Sequence, residues 1–186
     1  MRHDGRETWH RLIDWDKGQT PAERLSALVL NHYRCKNIDP SHPLGGPDGL
    51  KDVICEYNGV RCIAACYFPR GQMTDTAITN KFTDDYEGVE RNNAKGFIFI
   101  TNQEITLGLR DDLKVIAATE VLVEIIHLER LASILNRPEM YGVSLEFLEI
   151  EMTNEEQLAY YATSNNQIQA STEAIKTMIE KLHKHK

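Results

Sequence analysis

The chain of 186 residues is notable first for what it lacks. No apolar run approaches the roughly 20 residues needed to span a bilayer. The opening MRHDGRETWHRL has no apolar core of the kind a secretory signal requires. A soluble, cytoplasmic protein with no membrane partner is therefore expected. Basic excess is also missing. The net charge of −7 repels nucleic acid at long range and lowers the expectation of tight, autonomous DNA binding. Cysteine is sparse: Cys35, Cys55, Cys62 and Cys66. The last two stand four apart in an expected strand, on one face but roughly 13 Å apart by strand rise, too far to share a metal ion. They read as buried packing, with a redox role as the alternative. There is no phosphate-cradling P-loop, no serine or cysteine nucleophile motif, no internal repeat and no low-complexity tract.

An apolar content of 41% does support one full core, and 186 residues suit one domain rather than two large ones. Trp9, Leu12 and Ile13 have the spacing of a short docking helix. In GQTPAERLSALVLNHY, Thr20 and Glu23 have the form of a capping box around Pro21, which predicts a helix over 21–33 with Leu25, Leu28, Val29 and Tyr33 periodic along it. Residues 34–50 carry the prolines, glycines and aspartates of a loop, with room for a short strand near Ile38. DVICEY and VRCIAACYF flank Asn58-Gly59, a strong hairpin signal. A two-residue turn sets Tyr57 opposite Val60, Glu56 opposite Arg61, Cys55 opposite Cys62 and Asp52 opposite Ala65.

Beyond Pro69, DTAITNKFTDDYEGVERNN predicts a helix with Ile78 and Phe82 facing in, and GFIFIT a buried parallel strand. Thr106 is placed to cap a helix bearing Leu109, Leu113 and Ile116. EVLVEII reads as a strand, HLERLASIL as a helix stopped by Pro138, and VSLEFLEIEM as a strand. Thr153 and Glu156 form a second capping box, and Ile168, Ile175, Met178 and Leu182 make a narrow heptad-like seam on a final helix. Antiparallel strands followed by βα units predict an α/β mixed sheet with helices on both faces and additional helical elements at the C-terminus. The expected division is one α/β domain over 1–163 and a C-terminal helix over 164–186 that meets a partner.

Across about residues 20–117 this order resembles the PD-(D/E)XK, or restriction-endonuclease-like, superfamily, particularly its Mrr-type branch. Four pieces carry the resemblance: Glu23 on the first long helix, GGPDGLKD ending in Asp52, the hairpin turning at Asn58-Gly59, and GFIFIT. The resemblance implies a Mg²⁺-dependent DNA endonuclease, a phosphodiesterase. Asp52 and a carboxylate on the second hairpin strand would hold the ion there, and a lysine two residues on would position the attacking water. In the expected register those positions are Ala65 and Tyr67, and neither methyl nor phenol serves Mg²⁺.

Two residues offer a rescue: Glu23, as a second carboxylate with Asp52, and Lys81, as a migrated catalytic lysine. The opposing readings are a capping role for Glu23, a solvated face for Lys81, and a loop-bonding role for Asp52. Asp48 reads as a turn residue or part of a binding face. Thr101, Asn102 and Gln103 end a parallel strand, where α/β ligand sites form; together with Tyr67 they are binding-face candidates. His127 and Glu129 read as junction residues.

The expectation is thus a nuclease-like domain with a degenerate site, serving binding or assembly, with DNA as a possible partner. A bacterial antiviral-defence or mobile-element setting follows by family analogy only. The alternatives are a Mg²⁺ endonuclease with a migrated lysine, and a small-molecule or nucleotide sensor on the same fold. Assembly as a homodimer, or with a partner protein, is expected through the last helix.

Overall fold

The computed structural model describes residues 6–40 and 52–184, with the side chains of 174 and 177–184 left aside. The GGPDG stretch and Asp48 lie outside the described residues.

Asn58 and Gly59 adopt φ of 52° and 76°, the left-handed pair that a two-residue hairpin turn demands. They join β2 (Val53–Tyr57) to β3 (Val60–Tyr67) in the expected register: Tyr57 pairs with Val60, Glu56 with Arg61 and Cys55 with Cys62. The strand near Ile38 is real. β1 (Lys36–Pro40) pairs antiparallel with β2 across a bulge. It is an edge strand, exposed except for a half-buried Ile38, and it ends in proline, which an edge tolerates. β4 (Gly96–Thr101) and β5 (Leu122–Ile126) add in parallel to β3. The sheet order is β1-β2-β3-β4-β5, half antiparallel hairpin and half parallel βα units.

Every residue of β4 is buried, because helices cover both faces. On one face Cys62, Ala64, Cys66, Ile98 and Ile100 meet α1 (Arg6–Ile13), α2 (Gln19–His32), α6 (Leu128–Leu135) and α7 (Tyr141–Leu148). On the other, Ile63, Ala65, Phe97, Phe99 and Ile125 meet α3 (Asp75–Tyr86), α4 (Gly88–Arg91) and α5 (Leu107–Ile116). Phe82 of α3 stands edge-on to Phe97 and Phe99, at centroid distances of 5.1 and 5.3 Å, the favoured aromatic geometry. All four cysteines are free and buried, and Cys62 and Cys66 share a face as expected.

Four expectations are corrected. VSLEFLEIEM is not a strand. Tyr141, Ser144, Phe147 and Leu148 are buried at helical spacing on α7, so the apparent alternation was coincidental, and Glu149 closes the helix in the left-handed region with φ 57°. The Thr20–Glu23 box does not form. α2 starts at Gln19 behind Gly18, whose φ is 82°, with no side-chain cap. Pro21 still falls in the first turn, where a missing N–H leaves no helix bond unmade. The long helix after Pro69 is broken into α3 and α4. Ile116 remains 37% exposed, while Leu109 and Leu113 are buried. The second capping box does form: Glu156 N donates to Thr153 Oγ1 at 3.2 Å and Thr153 N to Glu156 Oε2 at 3.0 Å. It opens α8 (Asn154–Lys184), a continuous helix that runs through the expected boundary at 163/164. Among the described residues no helix is long and apolar enough to cross a membrane.

Candidate functional site

Asp52 stands one step beyond the last ladder pair, Val53–Ala64, where β2 begins and β3 ends. Its amide donates to Ala64 O at 3.1 Å, and its Oδ2 accepts from Cys66 N at 2.6 Å. The carboxylate thus closes the open end of the hairpin. At the same level, Ala65 is 2% exposed and part of the aromatic core. Tyr67 is half-buried, with its ring stacked on Phe99 at 6.4 Å. The two strand positions where the resemblance requires a carboxylate and a lysine are therefore built into packing.

The charge near this face comes from α3. Lys81 Nζ lies 2.6 Å from Asp85 Oδ1, with side-chain exposures of 39% and 7%. Lys81 is therefore part-exposed and ion-paired to a buried carboxylate. Burial pulls its pKa down, and Asp85, with smaller help from Asp52 and Asp84, more than offsets this, leaving it raised. Burial drives the Asp85 carboxyl up to about 6, against the pull of Lys81 and with added push from Asp52 and Asp84. Its Oδ2 is buried without a hydrogen-bond partner. Asp52, Lys81 and Asp85 thus share one electrostatic neighbourhood. Asp85 was missed in the sequence. The signal was present: Ile78, Phe82 and Asp85 fall on one helical stripe, so the inward face of α3 ends in a carboxylate.

Glu23 is half-buried on α2. Burial first, then the charge of Asp52 and more weakly that of Glu23, push the Cys66 thiol upward. Both acids therefore lie near Cys66, as does Gln19, whose Nε2 donates to Cys66 O at 3.3 Å.

Thr101, Asn102 and Gln103 form no binding face. All three are fully buried and bonded to the protein itself. Thr101 Oγ1 donates to Tyr67 O at 2.7 Å. Asn102 Nδ2 donates to Leu12 O and Pro69 O at 2.7 and 2.8 Å. Gln103 Nε2 donates to Gly71 O at 3.0 Å and its Oε1 accepts from Met73 N at 2.6 Å. They fasten α1 and the 69–73 loop to the end of β4. His127 precedes α6 without capping it; its Nε2 sits 3.3 Å from Arg110 Nη1, and burial and Arg110 lower its pKa.

A hard divalent cation needs several convergent oxygens. Among the described residues no three His, Cys, Asp or Glu side chains gather as a metal site. Asp52 already has one oxygen on Cys66 N, and Asp85 already has one on the Lys81 ammonium. The described residues do not fit a Mg²⁺ centre of the kind the resemblance implies. No protein-family model matches the chain, and no curated protein matches it significantly.

Proposed function

We propose that the chain is a restriction-endonuclease-like domain that has kept the architecture but lacks efficient catalysis, and that it serves binding or assembly. The order supports this reading: α2, a three-stranded antiparallel unit, α3, and β4 parallel to β3. It is the order the resemblance describes for its helix, hairpin, helix and strand. The observation that carries the loss of catalysis is the core packing of Ala65 and Tyr67 beside Asp52. DNA and a defence setting belong to the same reading by analogy alone.

One observation favours a second reading, an endonuclease with a migrated lysine: Asp52 is close enough to raise the Lys81 pKa. Incubating plasmid and linear duplex with the full chain and Mg²⁺ separates the two. We expect no cutting above that of an Asp52→Ala preparation of equal purity. Robust cutting by wild type that disappears in Asp52→Ala, and also in a folded Lys81→Ala, would establish the second reading instead.

Assembly is assigned to α8 and a second copy of the chain. Leu158, Tyr161, Ile168 and Ile175 are 71%, 63%, 64% and 57% exposed, and residues 165–173 are exposed without exception. Met178 and Leu182, at the end of the expected seam, lie outside the described side chains. The seam does not fold back on the domain as far as Ile175, which supports pairing with a helix of a second copy.

A further inference from the structure

A cleft lies at the opposite end of the hairpin from Asp52, where the C-terminus of α2, the hairpin tip and α6 converge. Its volume is about 510 Å³, and His32, Tyr33, Arg34, Tyr57, Asn58, Arg130, Ser133, Ile134 and Arg137 line it. That volume is within the range of small-ligand sites. In a chain of net charge −7, this lining holds three arginines and no acid.

The cations have different roles. Arg130 is used by the fold. Its Nη1 donates to Glu124 Oε2 at 2.9 Å and to Ile125 O at 3.2 Å, its Nη2 meets Tyr33 Oη, and its guanidinium lies 4.9 Å from the Tyr33 ring centroid. Tyr33 in turn stacks on Tyr57 at 5.5 Å and 27°. The result is an immobilised aromatic platform with one charge already neutralised. Arg34 and Arg137 are both exposed. Arg34 makes no hydrogen bond or ion pair among the described residues beyond its backbone amide to Asn31 O. Arg137 Nη1 sits 3.2 Å from His32 Nε2, and the same imidazole nitrogen lies 3.7 Å from Glu139 Oε1, an acid outside the cleft lining.

Arg34 also holds φ at +66°. This is the position past a helix end where glycine is common, and the Arg34 and Cys35 amides donate back to Asn31 O and Leu30 O as such an end requires. Helix termination accounts for that backbone; what bears on the cleft is the exposed guanidinium, which has no acid partner among the described residues.

We infer that this cleft binds a nucleotide. Its phosphate is taken by Arg34 and Arg137, which suit the planar, multidentate recognition of phosphate oxygens, and its base lies against the Tyr57 ring, which Tyr33 backs, beside the Asn58 amide. This inference does not rest on the nuclease-like reading, since it uses none of Asp52, Lys81 or Asp85.

Calorimetric titration of the full chain with AMP, ATP and inorganic phosphate, each separately and at two salt concentrations, tests it. We expect saturable binding of one nucleotide per chain, tighter than inorganic phosphate by tenfold or more and weakened by salt. Arg34→Gly, which relieves the backbone while removing the charge, should weaken binding at least tenfold with no loss of thermal stability, and Arg137→Ala should weaken it similarly. Four results would overturn the assignment: no saturation by either nucleotide at millimolar concentration; wild-type affinity in both variants; inorganic phosphate binding as tightly as AMP; or uptake of single-stranded oligonucleotides but not mononucleotides.

Discussion

Asp85 presents one carboxylate oxygen to Lys81 and buries the other without a donor. Its pKa rises from 3.8 to about 6, so the folded protein holds the proton more tightly than the unfolded chain. Stability from this group is present at low pH, declines as pH rises through 3.8, and is fully lost above about 6. Asp85→Asn should therefore stabilise the protein at pH 8 by about 2–3 kcal/mol and give little at pH 4. Urea denaturation at the two pH values measures the difference, and equal effects would mean that Asp85 is not the strained group. Gly96 illustrates the opposite constraint. A Cβ there would overlap Cys62 Sγ on the neighbouring strand, so Gly96→Ala should cost about 1–3 kcal/mol, seen as a lower denaturation midpoint. Neither relation is local in sequence. Asp85 could have been placed by its helical stripe, but the meeting of Gly96 with Cys62 needs the β3–β4 register, which no local pattern carries.

At the scale of elements, legibility followed the strength of local chemistry. Asn58-Gly59 fixed a hairpin and its register because only left-handed backbone closes a two-residue turn. GFIFIT announced a doubly covered strand through continuous apolarity. α7 was misread because short apolar segments fit both a period of two and a period near 3.6, and the deciding partner, the packing of Phe147 and Leu148 under α1 and α2, is tertiary. α8 was seen as two pieces because its polar middle hides a continuous 31-residue helix, about 46 Å long by helical rise. Along it Leu158, Tyr161, Asn165, Ile168, Thr172 and Ile175 alternate by three and four, the spacing of a two-stranded seam, with a polar asparagine at an inner position of the kind that fixes register. Light scattering should find a dimer for the full chain and a monomer for a chain ending at Gln167. A full chain that stays monomeric at tens of micromolar would remove the self-pairing and leave a different protein as the partner.

Over the whole molecule, two regions at opposite ends of one hairpin carry the unspent chemistry. At the Asp52 end, acids and a lysine remain around strand positions given over to packing. At the Tyr57 end, exposed arginines frame stacked tyrosines. The parallel half of the sheet placed Thr101–Gln103 where α/β proteins bind ligands, yet the chain uses these side chains to hold its own loops. Strand-end position alone does not make a site. The loss of catalysis at the Asp52 end can be examined without any substrate. Crystals of the full chain soaked in Mn²⁺ should show no anomalous density within coordinating distance of Asp52, with its carboxylate still on Cys66 N and Lys81 still on Asp85. An ordered Mn²⁺ bound by Asp52 together with Asp85 or Glu23 would contradict a degenerate site.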